Sequence, residues 1–235
     1  MTTHSAWYYN DMQQVGTDFE DVAQVEAYDR NQTSSSAEKS QKLVAQLGIS
    51  AGQTVIDLGC GTGTFAIQAA IAGAHVYAID VSLAMLTFAQ QKAQLVNVES
   101  SIEFHHGGFL TYEHTAAPVD VIVTQSALHH LSDFWKMVAF LRMANMLKPG
   151  GIFYLWDTVF SFHPTEYQTR IGDWIQRVAK PPGEGWTAQD FATHVREEYT
   201  TFGWILERML TDAGFTIKTA NYVTPEYAEY ICRRG

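Results

Sequence analysis

The sequence predicts an α/β fold, a doubly wound, seven-stranded, mostly parallel sheet with one antiparallel strand near the C-terminus and helices on both faces. Three observations predict it. Short β-branched runs alternate with helical periodicities from residue 54 to residue 157. Such alternation argues for βαβ units and a sheet covered on both sides. Two further strand-like runs close the chain as a hairpin-like pair, which makes one strand antiparallel. And 46% of the 235 residues are hydrophobic, enough for the full core of one domain.

Each element follows in order. DFEDVAQVEAYDR reads as a short amphipathic helix with Phe19, Val22 and Val25 or Glu26 on one face. NQTSSSAEKS (Asn31–Ser40) reads as a hinge, with Ser36 or a neighbour capping the next helix and Glu38 and Lys39 on its solvated first turn. AEKSQKLVAQLG is a helix ending at Gly48, TVIDLG a buried strand, and GTFAIQAAIAG a small-residue helix closed by Gly73. AHVYAID is a strand. SLAMLTFAQQKAQLV is a helix with Leu86, Ala89, Ala93 and Val96 on one face. SIEFHH is a weaker strand and VDVIVTQ a strong one. SDFWKMVAFLRMANMLKPGG is a helix stopped by Pro149-Gly150-Gly151, and IFYLWD is the fifth strand. Thr158–Trp186 is long, aromatic and turn-rich, with no clear strand. A helix around TTFGWILERMLTDAGF then leads to FTIKTANYV and EYAEYICRR.

Charge and composition exclude several classes. The formal net charge is −10, from 15 Lys+Arg against 25 Asp+Glu, and the first forty residues hold seven acids with only Arg30 and Lys39 as bases. A phosphate-backbone binder draws its affinity from a basic face, so nucleic acid is not an expected partner. The first residues lack the basic start and apolar core of a signal peptide, and no apolar run approaches the ~20 residues of a membrane span. The two cysteines, Cys60 and Cys232, read as free thiols, Cys60 as a small space-filler in its loop. A cytoplasmic location without membrane attachment is the expectation.

The chemistry concentrates in VIDLGCGTGTFAI (Val55–Ile67), where an apolar run ends at Asp57 and Gly59, Gly61 and Gly63 follow at alternate positions. Those glycines let a ligand lie against backbone N–H groups at a helix start. The nicotinamide pattern G-x-G-x-x-G fails, because the sixth position from Gly59 is Thr64. A P-loop needs a lysine, and none stands between Lys42 and Lys92. Asp57 either contacts the ligand or caps the following turn. Ligand contact makes sense if the ligand carries positive charge, an ammonium or a sulfonium. Asp80 closes the second strand about twenty residues on, where an acid accepts hydrogen bonds from both hydroxyls of a ribose or caps the next helix. A cationic, ribose-bearing ligand is S-adenosylmethionine.

At these motifs the chain resembles the class I S-adenosylmethionine-dependent methyltransferases of small-molecule type, over about Leu43 to Ile231. VIDLGCGTG, YAIDVS and LKPGG stand in the family's order and spacing. The resemblance implies a Rossmann-like fold, S-adenosylmethionine as cofactor and S-adenosylhomocysteine as product. It implies cofactor contacts from Asp57, Gly59, Gly61, Gly63, Asp80, Val81, Met85, Gly108, Phe109 and Gln125, with Val81 and Met85 against adenine and Gln125-Ser126 near the methionine part. The family often carries an acid where this chain has Gly108, to receive the adenine amine; here Gly108 and Phe109 are left to bind through backbone.

The domain organisation expected is a single domain, with a helical arm (1–34), a cofactor half (35–157), an inserted substrate segment (158–200) and a C-terminal helix with the last two strands (201–235). His130, Asp157 or a tyrosine is the candidate for a catalytic base; on the loop where the resemblance puts the His129-His130 pair, beside the cofactor, His130 otherwise shapes the pocket, and Asp157 otherwise caps a helix or turn. Trp156, Asp157 and Trp186 are candidates for substrate contact, the aromatics of the segment being either pocket wall or core. Tyr8, Tyr9, Tyr28 and Arg30 either fold over the cleft, with Arg30 reaching the cofactor's carboxylate, or pack on the body. No metal is expected, because no recognisable ligand spacing accompanies the histidine pair. The expected reaction is in-line methyl transfer to a small molecule by a monomer or homodimer, working mainly through positioning. The alternatives are a non-catalytic cofactor-binding module, or a methyltransferase acting on protein or RNA.

Overall fold

β-branched and aromatic residues place β1 at Thr54–Leu58, β2 at His75–Asp80, β3 at Ile102–His106, β4 at Val119–Gln125 and β5 at Leu147–Phe160 in the computed structural model, which describes residues 5–13, 20–31 and 34–235. Between and before them run α1 (Val22–Asn31), α2 (Ser34–Gln46), α3 (Thr64–Ile71), α4 (Leu83–Leu95) and α5 (Asp133–Met146). After β5 come α6 (Tyr167–Val178), α7 (Ala188–Glu197), β6 (Thr201–Phe202), α8 (Gly203–Asp212), β7 (Phe215–Thr224) and β8 (Tyr227–Arg234). The sheet order is β3-β2-β1-β4-β5-β8-β7, with the two-residue β6 beside β5. β8 is antiparallel to both neighbours, and the other pairs are parallel. The predicted mostly parallel sheet with one reversed strand is the observed one.

This order fixes where a ligand sits. From β1 the chain moves outward to β2 and β3, then crosses back to β4 on the other side of β1. A crevice opens where connections diverge, beyond the C-terminal ends of β1 and β4. Strand periodicity divides the core on the two faces of the sheet. Ile56 and Leu58 pack with Ile122, Phe140 and Phe153 on the side of α5 and α8. Val55 packs with Phe65, Ala69, Val121 and Val123 on the side of α2 and α3. The same alternation turns Asp57 to the face of Val55, beneath α3.

Several boundaries differ from those expected. α2 already runs from Ser34, so Ser36 lies inside it, with Glu38 and Lys39 exposed in its second turn. Serine costs a helix only modestly, and packing of Leu43, Val44 and Leu47 against α3 outweighs that cost. The expected face of α1 includes Phe19, outside the described residues; Val25 is buried and Glu26 exposed. Val96 falls just past α4 and is exposed, whereas Leu86, Ala89 and Ala93 are buried. The segment expected to lack a strand carries β5 on through Phe160 and then forms α6. Ile171, Trp174, Ile175 and Val178 lie on one face of α6 and form a satellite core with Phe160, Phe162 and Phe191.

The arm docks on the body through aromatics. Tyr8 and Tyr9 stand 5.0 and 6.0 Å from the Trp135 ring, centroid to centroid, and Trp7 stacks on it. The Tyr8 hydroxyl donates to the Leu110 carbonyl and the Tyr9 hydroxyl to that of His130. Lys92 of α4 pairs with Asp29 of α1 at 2.6 Å. Among the described residues no helix is long and apolar enough to cross a membrane.

Candidate active site

One continuous cleft opens at the C-terminal ends of β1, β2 and β4. Gly59, Gly61, Asp80, Val81, Met85, Gly108, Phe109 and Gln125 line it, as do Tyr9, Asp11 and Tyr28 from the arm. His129, His130, Leu131, Trp186 and Glu198 line its other part. Asp57, Gly63, Trp156 and Asp157 do not border it.

The loop after β1 is built by hydrogen bonds to the end of β2. The N–H groups of Gly59 and Cys60 both donate to the Ile79 carbonyl, at 2.8 and 3.0 Å. The Gly61 N–H donates to Asp80 Oδ2 at 2.8 Å, and the Ser82 N–H to Asp80 Oδ1 at 2.9 Å. A carboxylate has about four lone-pair sites, so Asp80 keeps acceptor capacity toward the cleft. Burial raises its pKa, against the pull of those N–H groups. A Cβ on Gly59 would stand 2.4 Å from the Cβ of Ala127, and one on Gly63 2.8 Å from that of Ala89. Both glycines are therefore required by packing, Gly63 at the seat of α3 on α4.

Asp57 is 2% exposed and lies under the loop. It accepts the Ala66 N–H in the first turn of α3, and burial, with Asp80 adding repulsion, raises its pKa to about 7. Its Oδ2 is buried without a hydrogen-bond partner. It therefore both caps the helix, at a distance in sequence, and leaves a titratable negative charge under the cradle.

Asp11 has no counterpart in the sequence reading. Its Oδ2 accepts the Leu110 N–H at 2.7 Å, while its Oδ1 is buried with no partner. Its pKa is raised by burial, with the Leu110 N–H pulling the other way. Gly108 has no side chain because Asp11 occupies the space: a Cβ there would meet Asp11 Oδ2 at 2.4 Å and Val81 Cγ1 at 3.1 Å. A spacing of ninety-nine residues between Asp11 and Leu110 is not readable along the chain.

Of the other arm residues, Tyr9 and Tyr28 reach the cleft, whereas Arg30 pairs with Glu26 at 3.4 Å on the exposed side of α1. Ser126, after β4, takes a left-handed φ of 52° and donates its N–H to the Trp156 carbonyl. Such a conformation costs a non-glycine residue of order 1–3 kcal/mol and persists only where its surroundings hold it. Trp156 stacks on Tyr227 at 5.3 Å, away from the cleft.

The far part of the cleft is an imidazole–carboxylate cluster. His129 Nδ1 meets Asp157 Oδ1 at 2.5 Å, and the His129 N–H donates to Asp157 Oδ2. Burial drives the His129 pKa down, but the carboxylates of Asp157 and Glu198 together drive it further up. Burial raises and His129 more than offsets the pKa of Asp157, which ends low. His130 stands beside this charge, half-buried; desolvation first and then His129 lower its pKa to about 4, and its buried Nδ1 has no partner. His194 and Glu198, brought by α7, complete the cluster.

A methyltransferase-domain family model matches residues 55–151. The chain is 33% identical over 166 residues, 71% of either chain, to a protein of Anoxybacillus flavithermus named as an uncharacterized methyltransferase. It is 27% identical over 203 residues to phosphoethanolamine N-methyltransferase 1 of Triticum aestivum, covering 83% of this chain but only 35% of that longer one. Its fold is similar to that of magnesium protoporphyrin IX methyltransferase of Synechocystis with bound S-adenosylhomocysteine, at a TM-score of 0.61 and 19% identity over 96% of this chain and 91% of that one. With these likenesses and the glycine cradle between β1 and β2, the chain belongs to the class I S-adenosylmethionine-dependent methyltransferases.

Proposed function

We propose that this enzyme transfers a methyl group from S-adenosylmethionine to a small-molecule acceptor. The observation that carries the reading is the continuity of the cleft. The glycine cradle and Asp80 open into the same space as His130, Leu131 and Trp186, under the chain's own arm. A cleft whose surface is mostly apolar, with polar side chains at defined points, suits a small molecule. The acidic net charge of −10 disfavours RNA as acceptor.

In this reading the ribose hydroxyls of the donor share Asp80, which backbone hydrogen bonds hold in place. Adenine lies by Val81, Met85 and Phe109. Its amino group, a donor, faces the acceptor-only carboxylate of Asp11, whose Oδ1 lacks a partner. The sulfonium and ammonium lie over the loop, where the charge of Asp57 attracts them.

The chemistry is a displacement. The acceptor's lone pair forms the new bond to methyl carbon while the electron pair of the breaking C–S bond goes to sulfur, leaving neutral S-adenosylhomocysteine. The acceptor's proton is then released. Alignment of acceptor, methyl and sulfur, and exclusion of water, supply much of the acceleration. His130 borders the cleft and is neutral at physiological pH, but a pKa of about 4 makes it a weak base. Asp157 is committed to His129 and acts through it. Positioning is therefore the main device.

The test is a screen of small metabolites with methyl-labelled donor. Label in a low-mass product, with equimolar S-adenosylhomocysteine, is the expected result. Label passing only to protein or RNA, or tight donor binding without any transfer, contradicts the reading.

A further inference from the structure

We infer that His129, His194 and Glu198 form a binding site for one divalent transition-metal ion at the wall of the cleft. One ligand atom from each lies within 4.8 Å of the others. All three side chains are 10% exposed or less. His194 sits in the last turn of α7 and Glu198, four residues on, is the residue that ends it; the two side chains meet there. His129 comes from the opposite wall, just after β4.

The His129–Glu198 spacing suits a metal. His129 Nε2 and Glu198 Oε2 are 3.3 Å apart. Two ligands at 2.0–2.1 Å from a tetrahedral ion stand about 3.3 Å from each other. His194 Nδ1 turns to the same oxygen, Glu198 Oε2. Two rings aimed at one carboxylate oxygen are a crowded arrangement for hydrogen bonding and an ordinary one for ligands sharing an ion.

The outer contacts are those of a metal site. A ligating imidazole commonly gives its other N–H to a carboxylate or another acceptor, which fixes the tautomer. His129 Nδ1 meets Asp157 Oδ1 at 2.5 Å, and His194 Nε2 meets Thr200 Oγ1 at 3.0 Å. Asp157 is itself held by the N–H groups of His129 and Thr158. This leaves Nε2 of His129 and Nδ1 of His194 free to ligate. Two buried carboxylates, Asp157 and Glu198, also require compensating charge, which a divalent ion supplies while both rings stay neutral.

Two histidines and one carboxylate are a set that holds zinc, or another first-row ion, with a position left open. His129 and Glu198 both border the cleft, so the open position faces the bound acceptor. The acceptors that would use it carry an oxygen, nitrogen or sulfur able to ligate, whose proton is more easily lost on the ion.

The test reads metal content and needs no acceptor, so its failure would leave the methyl-transfer reading intact. The purified chain is stripped with chelator, loaded with Zn²⁺, desalted and assayed by elemental analysis. Cobalt(II) loading is followed by its visible ligand-field bands. One equivalent of zinc per chain and tetrahedral-type cobalt bands are expected. Glu198→Gln and His194→Ala should lose the bound ion, Asp157→Asn should bind it roughly 10- to 100-fold more weakly, and His163→Ala, at an exposed position, should bind as the parent does. Glu198→Gln preserves side-chain shape, and circular dichroism checks that each variant is folded. Wild-type chain that keeps no zinc after desalting overturns the site. So does undiminished zinc in both folded ligand variants, and so does an imidazolium proton on His129 that zinc does not displace, read by NMR.

Discussion

The carboxylate of Asp11 stands where a side chain at Gly108 would otherwise be, 2.4 Å from the position of its missing Cβ. If Asp11 receives the adenine amine, two results follow. Asp11→Ala should weaken S-adenosylhomocysteine binding by roughly 10- to 150-fold, the range for a hydrogen bond to a charged group. The same variant should no longer distinguish that ligand from its hypoxanthine analogue, which lacks the amine. Gly108→Asp alone should bind poorly, because two carboxylates collide. Adding Asp11→Gly should restore affinity. Calorimetry of the four proteins checks both points.

Asp80 is held by the Gly61 and Ser82 N–H groups, which aim it toward the cleft. Asp80→Ala should weaken cofactor binding by roughly 10- to 150-fold. Unchanged affinity in a titration would remove the ribose assignment.

The glycines of the loop should not be equivalent. Gly59→Ala adds a Cβ 2.4 Å from that of Ala127, at a φ of 74°. Gly61→Ala at a φ of 51° meets no atom closer than 3.9 Å, from Tyr28. The left-handed backbone costs alanine about 1–2 kcal/mol at either position. Gly59→Ala should therefore lower stability by clearly more than Gly61→Ala in urea unfolding, because it adds overpacking.

Asp57 sets a pH dependence. Its folded pKa, about 7, lies above its ordinary 3.8. A raised acid favours the folded state most below its unfolded pKa, and that contribution is lost as pH rises from about 4 through 7. The ligand-free protein should lose stability across this window, and Asp57→Asn should flatten the slope. A cationic cofactor favours the ionised form, so binding near pH 7 should release a fraction of a proton. Calorimetry in buffers of different ionisation enthalpy checks this; no release, with the stability slope unchanged in Asp57→Asn, would contradict it.

The sheet was legible because β1, β2, β4 and β5 are apolar on both faces, and their patterns need no partner to be read. The glycine loop and Asp80 were legible because local backbone demands and a fixed spacing mark them. α6 carried a readable signal in Ile171, Trp174, Ile175 and Val178, masked by the surrounding prolines, glycines and aromatics. The role of Asp11 was not legible, since it depends on the arm docking through Trp135 onto α5. Nor was the cluster at His129: His194 and Glu198 come from the end of α7, and nothing local in HVREE separates them from a solvated helix end. Both are consequences of long-range packing.

The central claim is that an adenosine-bearing cation is held where β1 and β2 end, its sugar on Asp80 and its base edge at Asp11. A crystal structure of the chain with S-adenosylhomocysteine measures it most directly. The account predicts both ribose hydroxyls within hydrogen-bond distance of the Asp80 carboxylate and the adenine amine beside Asp11 Oδ1. A ligand whose sugar lies away from Asp80, or a cradle filled by the chain's own side chains, would contradict it.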